Sequence, residues 1–286
     1  MSSSSIQAFL QQHSKQLEEA LNLEAGSARI EVQCLLQAVL QVDRAYLFSH
    51  PEQSLDADQH ERYMALLERR LRGEPIAYLL ASREFYGLNL KVTPATLIPR
   101  PETELLVDLA LQHIPLHSRF RLLDLGTGSG AIALSIARAR PNAEVMAVDA
   151  SPGALEVAHE NAQRLNICNV RLTASDWFTS LQGERFDMIV SNPPYVAVND
   201  PHLLQGDLCF EPRNALASGA DGLDDIRLII SQAKAHLNPG GWLLLEHGHD
   251  HADRVRALLQ QAGFAGIFSA HDLSGIDRVS GGSCLP

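Results

Sequence analysis

The chain has 286 residues, 45% hydrophobic and 20% charged, and its 23 Lys and Arg against 34 Asp and Glu leave a net charge of −11. That length allows a large core and about two domains, and the acidic balance excludes a surface built as a whole to neutralise a nucleic-acid backbone or an anionic membrane. The four cysteines, Cys34, Cys168, Cys209 and Cys284, have neither metal nor redox spacing, no apolar run reaches membrane length, and residues 1–5 lack the parts of an export signal, so a reduced, cytoplasmic protein is expected.

Residues 6 to about 72 read as helical. Ile6, Phe9, Leu10, Leu17 and Leu21 fall near one face, Ile30, Cys34, Leu35, Ala38 and Val39 on a second, and Tyr63, Leu66, Leu67 and Leu71 on a third. Gly26-Ser27 is expected to separate the first two helices with Ser27 as N-cap, and His50-Pro51 and Gly73-Glu74-Pro75 break the pattern again. Nothing in residues 1–75 has catalytic spacing, so this bundle is expected to recognise a partner or to serve packing alone. Residues 76–100 form a linker in which Glu84 to Val92 reads as a hairpin around a glycine turn. Leu97 to Glu104 then leads into an apolar-periodic helix, Leu105 to Ile114, and its prolines and acids suit a helix first turn. Arg100, Glu102 and Glu104 are kept as candidates to fold over a ligand.

Residues 101–286 alternate strand and helix. Strands are expected at Arg121 to Leu125, Glu144 to Val148, Asn169 to Leu172, Phe186 to Val190, Gly241 to Leu245 and Ala265 to Phe268, with helices at Ala131 to Ala139 and Gly153 to Leu165. This is the pattern of a doubly wound α/β sheet, largely parallel, with a last antiparallel strand around Arg278 to Ser280 at or near its edge. The first strand runs into Gly126-Thr127-Gly128-Ser129-Gly130 and then a helix. That spacing departs from the dinucleotide arrangement Gly-x-Gly-x-x-Gly. Asp149, about twenty residues on, ends the second strand, where a carboxylate can accept from both ribose hydroxyls of an adenosine. It could instead cap the next helix, although Ser151 already offers a cap. Adenosine without diphosphate suggests S-adenosylmethionine. Asp176 could meet an adenine amine, and Trp177 could stack on the ring or belong to the core.

The other organising stretch is Asn192-Pro193-Pro194-Tyr195, at the carboxyl end of the fourth strand, the edge at which open α/β sheets bind ligands. Two prolines remove two backbone donors and leave an acceptor-rich notch. The Asn192 side-chain oxygen and the Pro193 carbonyl could each accept one hydrogen of a planar –NH2 group, with Tyr195 as a flat wall. An amide nitrogen is a poor nucleophile because its lone pair is delocalised, so aiming it is what such a site would contribute.

Together, Asp124 to Gly130, Asp149, Asp176-Trp177 and Asn192 to Tyr195 resemble class I S-adenosylmethionine-dependent methyltransferases, with a Rossmann-like domain. Phe85-Tyr86-Gly87, Ile98 to Glu104 and Glu211-Pro212-Arg213 narrow the likeness to the peptide-chain release factor glutamine methyltransferases, the PrmC/HemK family, across nearly the whole chain. The resemblance implies methyl transfer from S-adenosyl-L-methionine to the side-chain amide of the glutamine in the Gly-Gly-Gln motif of class 1 release factors. It further implies that Gly126, Thr127, Gly128, Ser129 and Gly130 cradle the methionine part of the cofactor, Asp149 the ribose and Trp177 the adenine. Asn192 would lie near cofactor and substrate, and Asn192, Pro193, Pro194 and Tyr195 would hold the glutamine.

His247-x-His249-x-His251 has alternating imidazoles after a strand end, but methyl transfer from a sulfonium needs no metal, so none is expected. The loop from Pro201 to Asp224 is long enough to form a lid over the substrate. Two other functions compete. A DNA or RNA amino-methyltransferase shares the notch but calls for a basic target-reading surface. A cofactor-binding partner module would lack turnover. Neither direct nucleic-acid binding nor membrane association is expected.

Overall fold

The computed structural model describes residues 5–117 and 119–285, so most of the reading of residues 1–5 lies outside the described residues. Two compact units result: residues 5–82 with 205–210, and residues 83–204 with 211–285. The expected linker 76–100 is divided between them, its first residues grouping with the helices and its hairpin with the sheet.

The first unit contains helices α1 (Ile6–Leu21), α2 (Ala25–Leu40), α3 (Arg44–Ser49), α4 (Ala57–Leu71) and the single turn α5 (Ile76–Leu79). Phe9, Leu17, Val32, Leu35, Tyr63 and Leu67 make its core. The Tyr63 hydroxyl is satisfied there by His13 Nδ1 at 3.0 Å. Ser5, Asp43 and Asp56 cap α1, α3 and α4, and Asp56 and Gln59 form a reciprocal capping box. The expected break at Gly26-Ser27 is misplaced. α1 stops at Asn22, a residue type that tolerates the left-handed conformation it adopts (φ 52°), and α2 begins at Ala25 without a side-chain cap, so Ser27 lies exposed inside its first turn. The buried face of α2 is Ala28, Val32, Leu35, Leu36 and Val39, and the expected Ile30 and Ala38 face outward. Packing against α1 decides that rotation, and glycine in a first turn costs little against it.

The second unit opens on a hairpin, β1 (Arg83–Phe85) with β2 (Leu88–Leu90), whose turn residues Tyr86 and Gly87 both have positive φ. After a 3-10 turn at Pro101–Thr103 come α6 (Glu104–His113), β3 (Phe120–Leu125), α7 (Ala131–Ala139), β4 (Ala143–Asp149), α8 (Pro152–Arg164), β5 (Val170–Ala174) and β6 (Phe186–Ser191). The sequence continues through α9 (Asp224–His236), β7 (Leu237–Glu246), α10 (Ala252–Gln261), β8 (Ala265–His271) and β9 (Asp277–Ser283). The seven-stranded sheet has the order β5-β4-β3-β6-β7-β9-β8. Its first five strands are parallel, and β9 runs antiparallel between β7 and β8. Apolar residues from the two faces of each strand fill two cores, Leu122, Val145 and Met188 in one, Leu123, Val148 and Ile189 in the other. β3 lies between β4 and β6, so the chain reverses its direction of progress there and opens a crevice at the strands' carboxyl ends. Leu125 pairs with Ser191, and the Ser191 hydroxyl donates to the Leu125 carbonyl at 2.7 Å, which fixes the level at which Asn192 leaves the sheet.

Candidate active site

The crevice holds a cleft of about 260 Å³ lined from β3 by Gly126 and Gly128, from β4 by Asp149, and from the segment after β5 by Asp176 and Trp177. Asn192 and Pro194 contribute from the end of β6. The glycine loop is held from below: the amides of Gly126 and Thr127 both donate to the Val148 carbonyl at 2.9 Å, and Gly128 N donates to Asp149 Oδ2 at 2.8 Å. Gly130 needs to be glycine twice over, since its φ is 84° and an added Cβ would meet Leu134 Cδ1 at 2.9 Å. Gly128 also has positive φ, with open space where a side chain would stand.

Asp124 lies at the root of this loop. Its Oδ2 accepts from the Thr127 hydroxyl at 2.7 Å and from Ala133 N at 3.2 Å, whereas Oδ1 is buried with no hydrogen-bond partner. Burial pushes the Asp124 carboxyl up to about 7, the Thr127 and Ala133 donors oppose the rise, and the Asp149 charge adds to it. A cationic ligand on the loop would therefore stabilise the ionised form. Asp149 accepts from Gly128 N and, through Oδ1, from Ser151 N at 2.8 Å. Burial raises its carboxyl against these amides and that of Ala150. Ser151 is the side-chain cap of α8, accepting from Ala154 N at 3.3 Å, so Asp149 is left to the loop and the cleft. Trp177 holds a left-handed backbone (φ 48°) fixed by the Ser175 hydroxyl, which donates to the Trp177 carbonyl at 2.7 Å. Its ring edge lies beside Gly126, 3.6 Å from where a Cβ would stand.

Asn192 points its side-chain nitrogen at Thr103 Oγ1, 3.2 Å away, and its oxygen remains an acceptor. The Pro193 ring is buried and the half-buried Tyr195 side chain packs against the core, its hydroxyl donating to Glu246 Oε1 at 3.4 Å, so neither side chain lines the cleft. Thr127, Ser129 and Gly130 also lie behind the lining, where they shape the loop. Arg100 pairs with the buried carboxylate of Glu211, which also accepts from Ile98 N at 3.0 Å. That contact holds Pro212, Asn214 and Ala215 along the cleft wall with Ala95, Thr96 and Leu97. Glu104 accepts from Tyr86 N at 2.9 Å, and neither it nor Glu102 lines the cleft. His247 is buried between the Gly248 carbonyl and the Ser280 hydroxyl. Among the described residues no cluster of His, Cys, Asp and Glu could hold a metal ion, and no helix is long and apolar enough to cross a membrane.

Sequence reasoning missed Thr103, Asn214 and Asp225 as neighbours of the site, because their elements meet the notch only in the folded sheet. Glu246 carried one readable signal, an acid at the end of an apolar strand. It is buried, which lifts its carboxyl to about 7, with the Thr103 and Tyr195 hydroxyls and the Arg278 charge opposing and Glu102 adding to the rise.

Residues 103–221 match the family Methyltransferase small domain, and residues 8–80 match the PrmC N-terminal domain. Among solved structures, a methyltransferase from Pyrococcus furiosus shares 20% identity with a TM-score of 0.54, covering 77% of this chain and 98% of that one. The T. Thermophilus 16S rRNA N2 G1207 methyltransferase, solved in complex with AdoMet and guanosine, shares 22% identity with a TM-score of 0.53 over 71% of this chain and 49% of its own. These likenesses show a methyltransferase fold. A release factor glutamine methyltransferase from Xylella fastidiosa (strain Temecula1) is 52% identical over 90% of this chain and 93% of its own length. That of Salmonella typhimurium is 47% identical over 94% and 98%. By this identity across both domains, the chain belongs to the release factor glutamine methyltransferases.

Proposed function

We propose that this enzyme transfers a methyl group from S-adenosylmethionine to the side-chain amide nitrogen of the glutamine in the Gly-Gly-Gln motif of class 1 release factors. The observation that carries the reading is the orientation of Asn192, whose nitrogen is committed to Thr103 Oγ1 and whose oxygen is left as an acceptor beside the cleft. The cleft suits the cofactor: Gly126 and Gly128 line it on the side that would take the methionine end, Asp149 would take a ribose diol and Trp177 an adenine ring, and the Asp124 carboxyl, buried behind the loop, favours a cationic end only through the field it sets there. When bound, S-adenosylmethionine supplies a methyl carried on a sulfonium, which leaves as a neutral thioether.

This chain's residues then have one task, to present a weak nucleophile in one pose. Asn192 Oδ1 accepts one hydrogen of the substrate –NH2 and the Pro193 carbonyl the other; that carbonyl has no N–H after it because residue 194 is also proline. Held by both hydrogens, the nitrogen can aim its lone pair along one line. No general base is needed, since the methylated amide is strongly acidic and loses its proton to water. In this reading the helical unit, which matches the PrmC N-terminal domain over residues 8–80, supplies docking for the protein substrate.

The test is incubation of the enzyme with methyl-labelled S-adenosylmethionine and a purified class 1 release factor, followed by mass spectrometry. Label on the Gly-Gly-Gln glutamine is expected. Label on another residue, or on added DNA or RNA in preference to the protein, would overturn the proposal.

A further inference from the structure

The segment that leaves the notch is stitched to the loop before α9. Val196 N donates to the Leu216 carbonyl at 2.9 Å, Ser218 N to the Val196 carbonyl at 2.8 Å and Val198 N to the Gly219 carbonyl at 2.9 Å, a short parallel pairing centred on Val196 and Ala217. Just past this pairing stands Gly222, buried and with φ 77°. A Cβ there would lie 2.3 Å from the Tyr195 carbonyl oxygen, 3.0 Å from its carbon and 2.9 Å from His251 Cε1. Non-bonded atoms do not pack that closely, so the loop meets the Tyr195 backbone only because residue 222 has no side chain. The rest of Tyr195 is held: its ring packs against the core and its hydroxyl donates to Glu246 Oε1 at 3.4 Å. Upstream the chain is stiff. Pro193 and Pro194 each fix their own φ and restrict the residue before them, so a push on the Tyr195 carbonyl reaches the Pro193 carbonyl and Asn192 with few torsions to absorb it.

We propose that Gly222 is a positioning residue for the substrate notch: its bare Cα sets how closely the loop abuts the Tyr195 carbonyl and, through the two prolines, where the Pro193 carbonyl and Asn192 stand. The inference rests on the reading of those two groups as the acceptors for the substrate –NH2. It gives the turn Gly219-Ala220-Asp221-Gly222 a part in the reaction although none of its residues lines the cleft.

Gly183 supplies a matched control, since it has φ 78° with open space where a side chain would stand and precedes β6, at the end away from the site. Gly183→Ala therefore carries the backbone cost of Gly222→Ala without the collision. Gly219→Ala directs its methyl at the carboxylate of Asp224, an exposed side chain that can swing aside. In variants that retain the wild-type circular dichroism, Gly222→Ala is expected to lower kcat on a class 1 release factor about tenfold to a hundredfold with KM and cofactor Kd within about threefold, whereas both controls keep kcat within about twofold. His251→Ala opens space beside the same point, so Gly222→Ala/His251→Ala should regain part of the lost rate, or of the lost fold if the single variant does not fold. Wild-type kcat in folded Gly222→Ala, an equal loss in either control, or a double variant no better than the single would overturn the proposal. A second readout needs no turnover. Tyr195-Val196 is the only Tyr-Val pair in the sequence, so carbonyl-labelled tyrosine with nitrogen-labelled valine gives one NMR cross-peak across that peptide bond. In the ligand-free protein this peak should move in Gly222→Ala and stay in place in Gly183→Ala. Movement as expected in an enzyme that methylates no release factor would fault the substrate reading and leave the contact at Gly222 standing; an unmoved peak would sink the proposal, whatever the substrate proves to be.

Discussion

Asp149→Ala separates the two jobs that one carboxylate does. A carboxylate has about four acceptor positions. Gly128 N and Ser151 N occupy two of them at 2.8 Å each, the Ala150 amide also acts on the carboxylate, and the group still lines the cleft, so the acceptor capacity left over is open to a ligand diol. Hydrogen bonds to a charged group contribute about 1.5 to 3 kcal/mol each, but water competes for both partners in an open cleft, so loss of the pair should weaken S-adenosylmethionine binding by about 2 to 3 kcal/mol, roughly 30- to 150-fold. The structural cost falls elsewhere, on the freed Gly128 and Ser151 amides, at about 1 kcal/mol each, and should appear as a lowered melting temperature. Asp149→Asn keeps one acceptor oxygen and should fall between. Isothermal titration calorimetry on folded variants measures the first quantity and a thermal melt the second. Undiminished affinity in a folded Asp149→Ala protein would mean that the carboxylate only braces the loop, and the adenosine assignment would fail with it.

Asn192→Ala should keep cofactor affinity and lose roughly a hundredfold in kcat, the scale of one preorganised contact to a reacting group, while Asn192→Asp, still an acceptor, should retain more; steady-state rates on a release factor decide, and equal loss in both would move the role to the amide donor. Ligand-free stability should fall as pH rises from about 5 to 7, because Asp124 and Glu246 (about 7 when folded, ordinarily 3.8 and 4.5) keep protons that the unfolded chain has released. The slope is up to about 1.4 kcal/mol per pH unit for each group, and Asp124→Asn should flatten it in urea denaturation. Leu67→Ala, at a fully buried position of the helical core, should cost about 2 to 5 kcal/mol on denaturant unfolding, and a loss below about 1 kcal/mol would show that the bundle packs loosely there. Asp56→Ala breaks the reciprocal cap of α4 and should cost about 1 kcal/mol in the same assay.

The sheet was legible because its strands are short apolar runs separated by helical periods, and α7 has the bounds expected from sequence, Ala131–Ala139. The extra residues of β7 and β8 depend on pairing partners that periodicity does not encode, whereas β9 is antiparallel and one strand in from the edge, as expected from its sequence. The start of α2 was misread for a related reason: Gly26-Ser27 has the composition of a break, but burial of Ala28 and Val32 against α1 outweighs it. At the site, Asp149 and Asn192 were readable from local chemistry at strand ends. Thr103 stands 89 residues from Asn192 in sequence, and nothing near either position announces the other.

Asn161 illustrates a different kind of dependence. Its side-chain nitrogen donates to the carbonyls of Lys91 and Ser129, both at 2.9 Å, and its oxygen accepts from Lys91 N at 2.7 Å, so it rivets the segment after the hairpin to the glycine loop. These three partners are backbone, with Arg164 Nη1 adding only a long 3.5 Å contact to the oxygen, which makes residues 91 and 129 interchangeable for this purpose and residue 161 irreplaceable: Asp lacks the donors, and Gln carries the amide one methylene too far. A survey of tolerated substitutions would therefore mark position 161 as sharply as position 192, although Asn161 is fully buried and lines no cleft. Intolerance to substitution in this enzyme will map its rivets together with its chemistry, and cofactor titration combined with melting is what sorts one from the other.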